Sequence, residues 1–179
     1  RELNLIGQDT TAYGVDRPGE PGIVGLLERL DEIDGVRWIR LLYAHPAHLR
    51  DDLVRAYTRL EKLVPYVDLP LQHLSNRILA AMGRRVDRAA IDRLLGTLRG
   101  QVPGLALRTT FIVGFPGETD AEFGQLLRGV EEIRFDHLGA FAYSPEPGTP
   151  AAELPGRLPP GLVADRLERR RSGIGAPMG

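Results

Sequence analysis

Residues 107–119 read LRTTFIVGFPGET, and the way this stretch folds decides the architecture of the whole chain. Up to Val113 it is a β-branched and aromatic run of the kind that fills a strand buried on both faces. Gly114, Pro116 and Gly117 then supply a tight turn that lets the backbone approach a neighbour closely. Thr119 and Glu122 stand at the T-x-x-E spacing of a capping box, which opens a helix. Strand, glycine turn and capped helix make a βα corner, the place where α/β proteins bind ligands.

Working outward, the pattern repeats. Strands are expected near Arg1–Gly7, Val36–Ala44, Tyr66–Leu69 and His137–Tyr143, besides the one quoted. Between them, apolar residues recur at helical spacing: Ile23, Leu26, Leu27, Leu30 and Ile33; Leu49, Leu53, Tyr57, Leu60 and Val64, closed by Pro65. Ser75 caps a short helix with Ile78, Leu79 and Met82, and Asp87 opens a longer one with Ile91, Leu94, Leu95 and Leu98. Phe123, Leu126, Leu127, Val130 and Ile133 mark the helix after the central strand. Residues 70–75 (PLQHLS) and the SPEPGTP segment read as loops, and one more helix is expected over Leu162–Arg171.

Strands separated by helices at intervals of about 30 to 40 residues fit successive βα units of a parallel sheet or barrel. A complete eight-unit barrel takes about 250 residues, and this chain has 179. Periodicity leaves two α/β architectures open, most of a barrel or an open doubly wound sheet. The organisation expected is a βα body over residues 1–155, then a linker, a terminal helix and a disordered tail over 156–179.

Bulk properties narrow the function. An apolar fraction of 42%, a charged fraction of 26% and a net charge of −1 describe an ordinary globular chain with no overall electrostatic case for nucleic acid. Arg166, Arg169, Arg170 and Arg171 form a local basic run, expected as a solvated helix face. No apolar run is long enough to span a membrane and no secretory signal opens the chain, so a cytoplasmic location is expected. The sequence contains no cysteine, which excludes disulfides and any thiolate-bound metal or cluster within it. His45, His73 and Asp68 lack the spacing of a metal triad, and no metal site is expected.

Loops after strands line the site in either architecture. That rule selects Gly7, Gln8, Asp9 and Thr10; His45; Gln72, His73 and Ser75; Gly114 to Glu118; and Ser144 to Thr149. The GFPG turn lacks the Lys-Ser/Thr of a phosphate-binding P-loop and the G-x-G-x-x-G fingerprint.

Four blocks taken together, GQDTTAYG (7–14), PLQHLSNRIL (70–79), FIVGFPGET (111–119) and AYSPEPGTPA (142–151), resemble the radical S-adenosylmethionine methylthiotransferases. The resemblance runs almost to Arg171. GQDT, the His45-Pro46 pair and PLQH are more similar to the branch that methylthiolates an aspartate side chain of a small-subunit ribosomal protein. The tRNA-modifying branch is the close alternative, and a cluster-less barrel acting as a binding module is the reading from another class. The resemblance implies a partial parallel (βα) barrel of the radical-SAM type, of which this chain supplies all but the first βα unit. It implies S-adenosylmethionine as cofactor and 4Fe-4S clusters whose cysteine ligands lie outside this chain, so the chain alone is expected to be inactive. The cofactor-binding residues it implies are Gly7, Gln8, Gln72, Ser75, Thr109, Thr110, Gly114 and Glu118. Asp9, His45 and His73 are expected at the substrate, and no residue is assigned as catalytic.

Overall fold

The computed structural model describes residues 1–17 and 19–173. The chain alternates strand and helix: β1 (Glu2–Leu5), α1 (Ile23–Asp31), β2 (Trp38–Leu41), α2 (Asp51–Arg59), β3 (Tyr66–Asp68), α3 (Asn76–Ala81), α4 (Arg88–Gln101), β4 (Ala106–Val113), α5 (Asp120–Ile133), β5 (His137–Ala142) and α6 (Pro160–Gly173). Short 3-10 turns at Thr10–Ala12 and Pro150–Glu153 interrupt two of the loops. Every expected strand and helix is present, with α2 shorter than its apolar spacing suggested. It stops at Arg59 because Leu60 is extended, and the following residues bridge to β2 through Ile39 and Leu63. The SGIGAPMG tail falls largely on residues 174–179, outside the described residues.

Strand pairing is parallel, as a βα series requires. β1 pairs with β2 from Glu2 opposite Trp38 to Leu5 opposite Leu41. β3 pairs with β4 from Tyr66 opposite Ala106 to Asp68 opposite Arg108. β5 neighbours β4, and bonds from Asp136 N to Leu107 O and from Tyr143 N to Val113 O advance together along both strands.

The chain divides into two compact units. The first holds Arg1–Leu71, Ala89–Thr109 and Phe135–His137; the second holds Gln72–Arg88, Thr110–Arg134 and the described chain from Leu138. In the first unit Leu27, Ile39, Leu41, Val67, Ile91 and Leu98 are fully buried. In the second, Leu74, Ile78, Leu79, Phe111, Val113 and Phe123 form the core.

β4 corrects one expectation. Its burial alternates strictly, with Leu107, Thr109, Phe111 and Val113 buried and Ala106, Arg108, Thr110 and Ile112 partly open. One face is therefore core and the other is accessible, and the parity of each residue decides which role it can take. Arg166 corrects another. It is buried on α6, and its guanidinium bonds the Glu118 and Asp120 carboxylates, so that part of the basic run is packed rather than solvated.

Candidate functional site

In the first unit the loops after β1 and β2 are tied together at the ends of their strands. Asp9 caps the turn at Thr10–Ala12, accepting from Thr11 N at 3.0 Å and from the Thr11 hydroxyl. The Thr10 hydroxyl donates to Leu42 O at 2.7 Å, and the Thr11 hydroxyl accepts from His45 N at 3.2 Å. The second Asp9 oxygen lies 2.5 Å from His48 Nδ1, and the His45 and His48 rings stand 5.0 Å apart. Burial by itself would raise the Asp9 carboxyl, but the bonds from Thr11 and His48 outweigh it and hold the group below the ordinary carboxylate value. Asp9, His45 and His48 offer ligand atoms within 4.8 Å of one another. In this structure Asp9 Oδ2 is engaged by His48, and His45 Nδ1 accepts from Ala47 N. Gly7 and Gln8 are exposed just before this cluster, and Gly7 helps line a cavity of ≈ 690 Å³ with Leu5, Asp9, Tyr13 and Ile23.

The accessible face of the first unit's strands is polar. Glu2 accepts from Arg40 Nε at 2.9 Å, and the Arg40 guanidinium lies 4.6 Å from the Tyr66 ring centre. Asp68 is fully buried and accepts from Arg108 Nη1 at 2.9 Å and from Tyr43 N at 3.1 Å. Charged groups on that face suit a polar ligand.

In the second unit Gln72 is the turning point. Its backbone continues strand pairing past β3, accepting from Ile112 N at 2.8 Å and donating to Thr110 O at 2.9 Å. It does so at φ 71, a left-handed conformation that costs a non-glycine residue roughly 1 kcal/mol. Gln72, Ile112, Phe115, Tyr143 and Thr149 line a cavity of ≈ 520 Å³, in which the Phe115 and Tyr143 rings meet edge to face at 5.2 Å. Arg84 also lines it, so the cavity offers apolar walls with a few polar side chains, the lining that a flat heterocycle with polar edges needs.

Several nominated residues serve the scaffold. Thr109 is fully buried; its hydroxyl donates to Leu69 O at 2.9 Å, so strand pairing consumes it. Thr110, one residue on, faces the accessible side. Ser75 caps α3 and donates to Glu122 at 2.9 Å. His73 is fully buried with Nδ1 accepting from Ser75 N, and burial lowers its pKa to about 4, so it is neutral. Glu118 is buried and braces the turn, accepting from Gly114 N at 2.6 Å and Phe115 N at 3.2 Å. The capping box of Thr119 and Glu122 is formed, and Arg77 and Ser75 also bond Glu122, whose pKa falls to about 2 chiefly because of Arg77.

Sequence reasoning missed His48, Arg108 and Arg166. His48 carried a signal, standing three residues after His45. Arg108 did too, because it shares parity with Thr110 on β4.

Parallel strands joined by helices, with polar groups at strand ends, define an α/β protein of the βα class. Residues 1–130 match the Radical SAM superfamily, and the chain belongs to that family. It is 51% identical over 166 residues to the ribosomal protein uS12 methylthiotransferase RimO of Syntrophobacter fumaroxidans, covering 93% of this chain and 37% of the relative. It is 49% identical over 171 residues to the RimO of Geotalea uraniireducens, covering 96% and 37%. The chain thus spans little more than a third of the length of these curated relatives. Among solved structures, the radical S-adenosylmethionine methyltransferase TsrM of Kitasatospora setae superposes with a TM-score of 0.65 at 14% identity, over 84% of this chain and 29% of that one. At that identity the likeness speaks for the fold, a partial βα barrel of the radical-SAM type.

A family cofactor can be tested against the residues present. A thiolate-held iron–sulfur cluster does not fit this chain, which has no cysteine. A nucleoside does fit the second unit, where the Gln72 amide and the Phe115 and Tyr143 rings share one cavity.

Proposed function

We propose that this chain is the central part of a radical S-adenosylmethionine methylthiotransferase that modifies an aspartate side chain of a small-subunit ribosomal protein. The observation that carries the reading is identity near 50% with RimO relatives across almost the whole chain, far above what a shared fold demands. S-adenosylmethionine supplies a carbon-centred radical and a methyl group when bound with a 4Fe-4S cluster, whose cysteines lie beyond this chain. The chain's own residues bind and orient. Ile112, Phe115 and Tyr143 wall the cavity proposed for the nucleoside, with Gln72 as a hydrogen-bonding partner; Thr110 shares the accessible face of β4 with Ile112, and Gly114 holds the turn. In the first unit, Gly7 and Gln8 are proposed for the cofactor, and Asp9 and His45 for the substrate. A cytoplasmic setting follows from a ribosomal-protein substrate; among the described residues no helix is long and apolar enough to cross a membrane.

Mass spectrometry of ribosomal protein and of tRNA from cells lacking the gene tests this. Loss of the methylthio group from the ribosomal protein alone is the expected result. Its loss from tRNA instead transfers the reading to the tRNA branch, and no loss from either leaves a binding module.

A further inference from the structure

We propose that Arg108 reads the carboxylate of the substrate, and so makes the reaction selective for an aspartate over a neutral side chain. This deepens the functional reading above and rests on it.

The placement comes from strand register. Arg108 pairs with Asp68, the last residue of β3. The Asp68 carbonyl in turn accepts from Ala44 N at 2.9 Å, three residues beyond the end of β2. Arg108 therefore stands level with the ends of β2 and β3 and with the loops that follow them, five residues before β4 itself ends at Val113. Arg40 lies deeper on the same face, with its Nε on Glu2 and its plane over Tyr66.

The guanidinium is also held. The Asp68 carboxylate is fully buried, with one oxygen on Arg108 Nη1 and the other on Tyr43 N. Tyr43 pays for that bond with a left-handed backbone, φ 58. A buried carboxylate fixed at both oxygens orients the arginine without absorbing it. One amino group is spent, while the side chain stays 38% exposed, so further N–H donors remain for a second carboxylate. A planar guanidinium suits that ligand because two parallel N–H bonds match its two oxygens. At the ends of β1 and β2, the Asp9 carboxylate is taken up by Thr11 and His48 and the Thr10 hydroxyl by Leu42 O.

The experiment uses the reconstituted whole enzyme and two peptides of the target ribosomal protein, one with its aspartate and one with asparagine there. Calorimetry gives the Kd of each peptide and of S-adenosylmethionine. The wild type is expected to prefer the aspartate peptide by roughly tenfold to a hundredfold, the range of a hydrogen bond to a charged group. Arg108→Gln, which keeps an N–H for Asp68, is expected to erase that preference and leave cofactor affinity unchanged. Arg108→Lys keeps the charge without the fork and is expected to retain part of it, which also carries the test should the glutamine variant melt early. Preference that survives in Arg108→Gln overturns the proposal. So does a fall in cofactor affinity with the peptide ratio intact, which assigns the guanidinium to the methionine carboxylate. Turnover is read separately: Arg108-dependent preference without modification of the peptide defeats the methylthiotransferase reading and leaves this contact standing. Modification without that dependence does the reverse.

Discussion

Arg166 Nη1 on α6 lies 2.8 Å from Glu118 Oε1 in the turn after β4, with both side chains almost wholly buried. The other Glu118 oxygen takes the Gly114 and Phe115 N–H groups, so one carboxylate joins helix to turn. Removing one partner of a buried pair leaves an uncompensated charge, worth roughly 3–5 kcal/mol. Arg166→Ala is expected to lower stability by about that much in urea denaturation, and the Arg166→Met/Glu118→Gln double variant by clearly less than the two single changes together. Additive losses would show that the two groups do not act as a pair.

Gly114 and Gly117 share φ 77 but not their surroundings. A Cβ on Gly114 would come within 2.6 and 2.8 Å of the Val163 methyls; on Gly117 the nearest atom is Arg77 Nη1 at 3.7 Å. Gly117→Ala is expected to cost about 1–2 kcal/mol from backbone strain alone. Gly114→Ala adds an overpacking cost of about 1–3 kcal/mol, and adding Val163→Ala should return the clash component while leaving the strain. Equal costs for the two alanines would mean that α6 does not press on this turn.

His73 makes stability depend on pH. Burial holds its folded pKa near 4, below the ordinary 6.5, so between those values the unfolded chain binds the extra proton. The contribution is complete above about pH 6.5 and is lost as pH falls toward 4, to a total of roughly 3 kcal/mol. Burial pushes the Glu118 carboxyl up and gives an opposite slope, stabilising below its ordinary pKa and fading as pH rises. The test is therefore a difference: wild type against His73→Phe by denaturation at pH 7 and pH 5. The variant should be less sensitive to acid, and equal sensitivity would place the proton elsewhere.

Local signals were the legible ones. The Thr119–Glu122 capping box, the Ser75 cap and the strand before Gly114 depend on neighbours within four residues, and all three form. α2 ended early because Leu60 is extended and Leu63 pairs with Ile39 of β2, a long-range pairing that helical spacing cannot reveal. The Arg166 position looked solvated for the same reason: its partners, Glu118 and Asp120, lie more than forty residues away. Of the candidate site, the choice of strand-end loops was readable from connectivity. Which face of a strand is open was not: the β4 stretch reads as buried on both faces and both Thr109 and Thr110 were nominated, yet Arg108 and Thr110 share the accessible parity and Leu107, Thr109, Phe111 and Val113 the buried one.

That parity gives the sharpest division between adjacent residues. Thr109 and Thr110 are alike in sequence and both were nominated for the cofactor, yet Thr109 is fully buried with its hydroxyl on Leu69 O, and Thr110 faces the accessible side. Thr109→Val strips a buried hydrogen bond and is expected to cost about 1–3 kcal/mol of stability. The affinity of the reconstituted whole enzyme for S-adenosylmethionine should stay where it was. The Thr110 hydroxyl has no hydrogen-bond partner among the described residues, so in Thr110→Val stability should hold within about 0.5 kcal/mol, while the cofactor Kd rises severalfold. Calorimetry and denaturation on the same two variants read both quantities. A cofactor Kd that moves with Thr109 and not with Thr110 would mean that the ligand meets the opposite face of β4, and the cavity walled by Ile112 would lose its role.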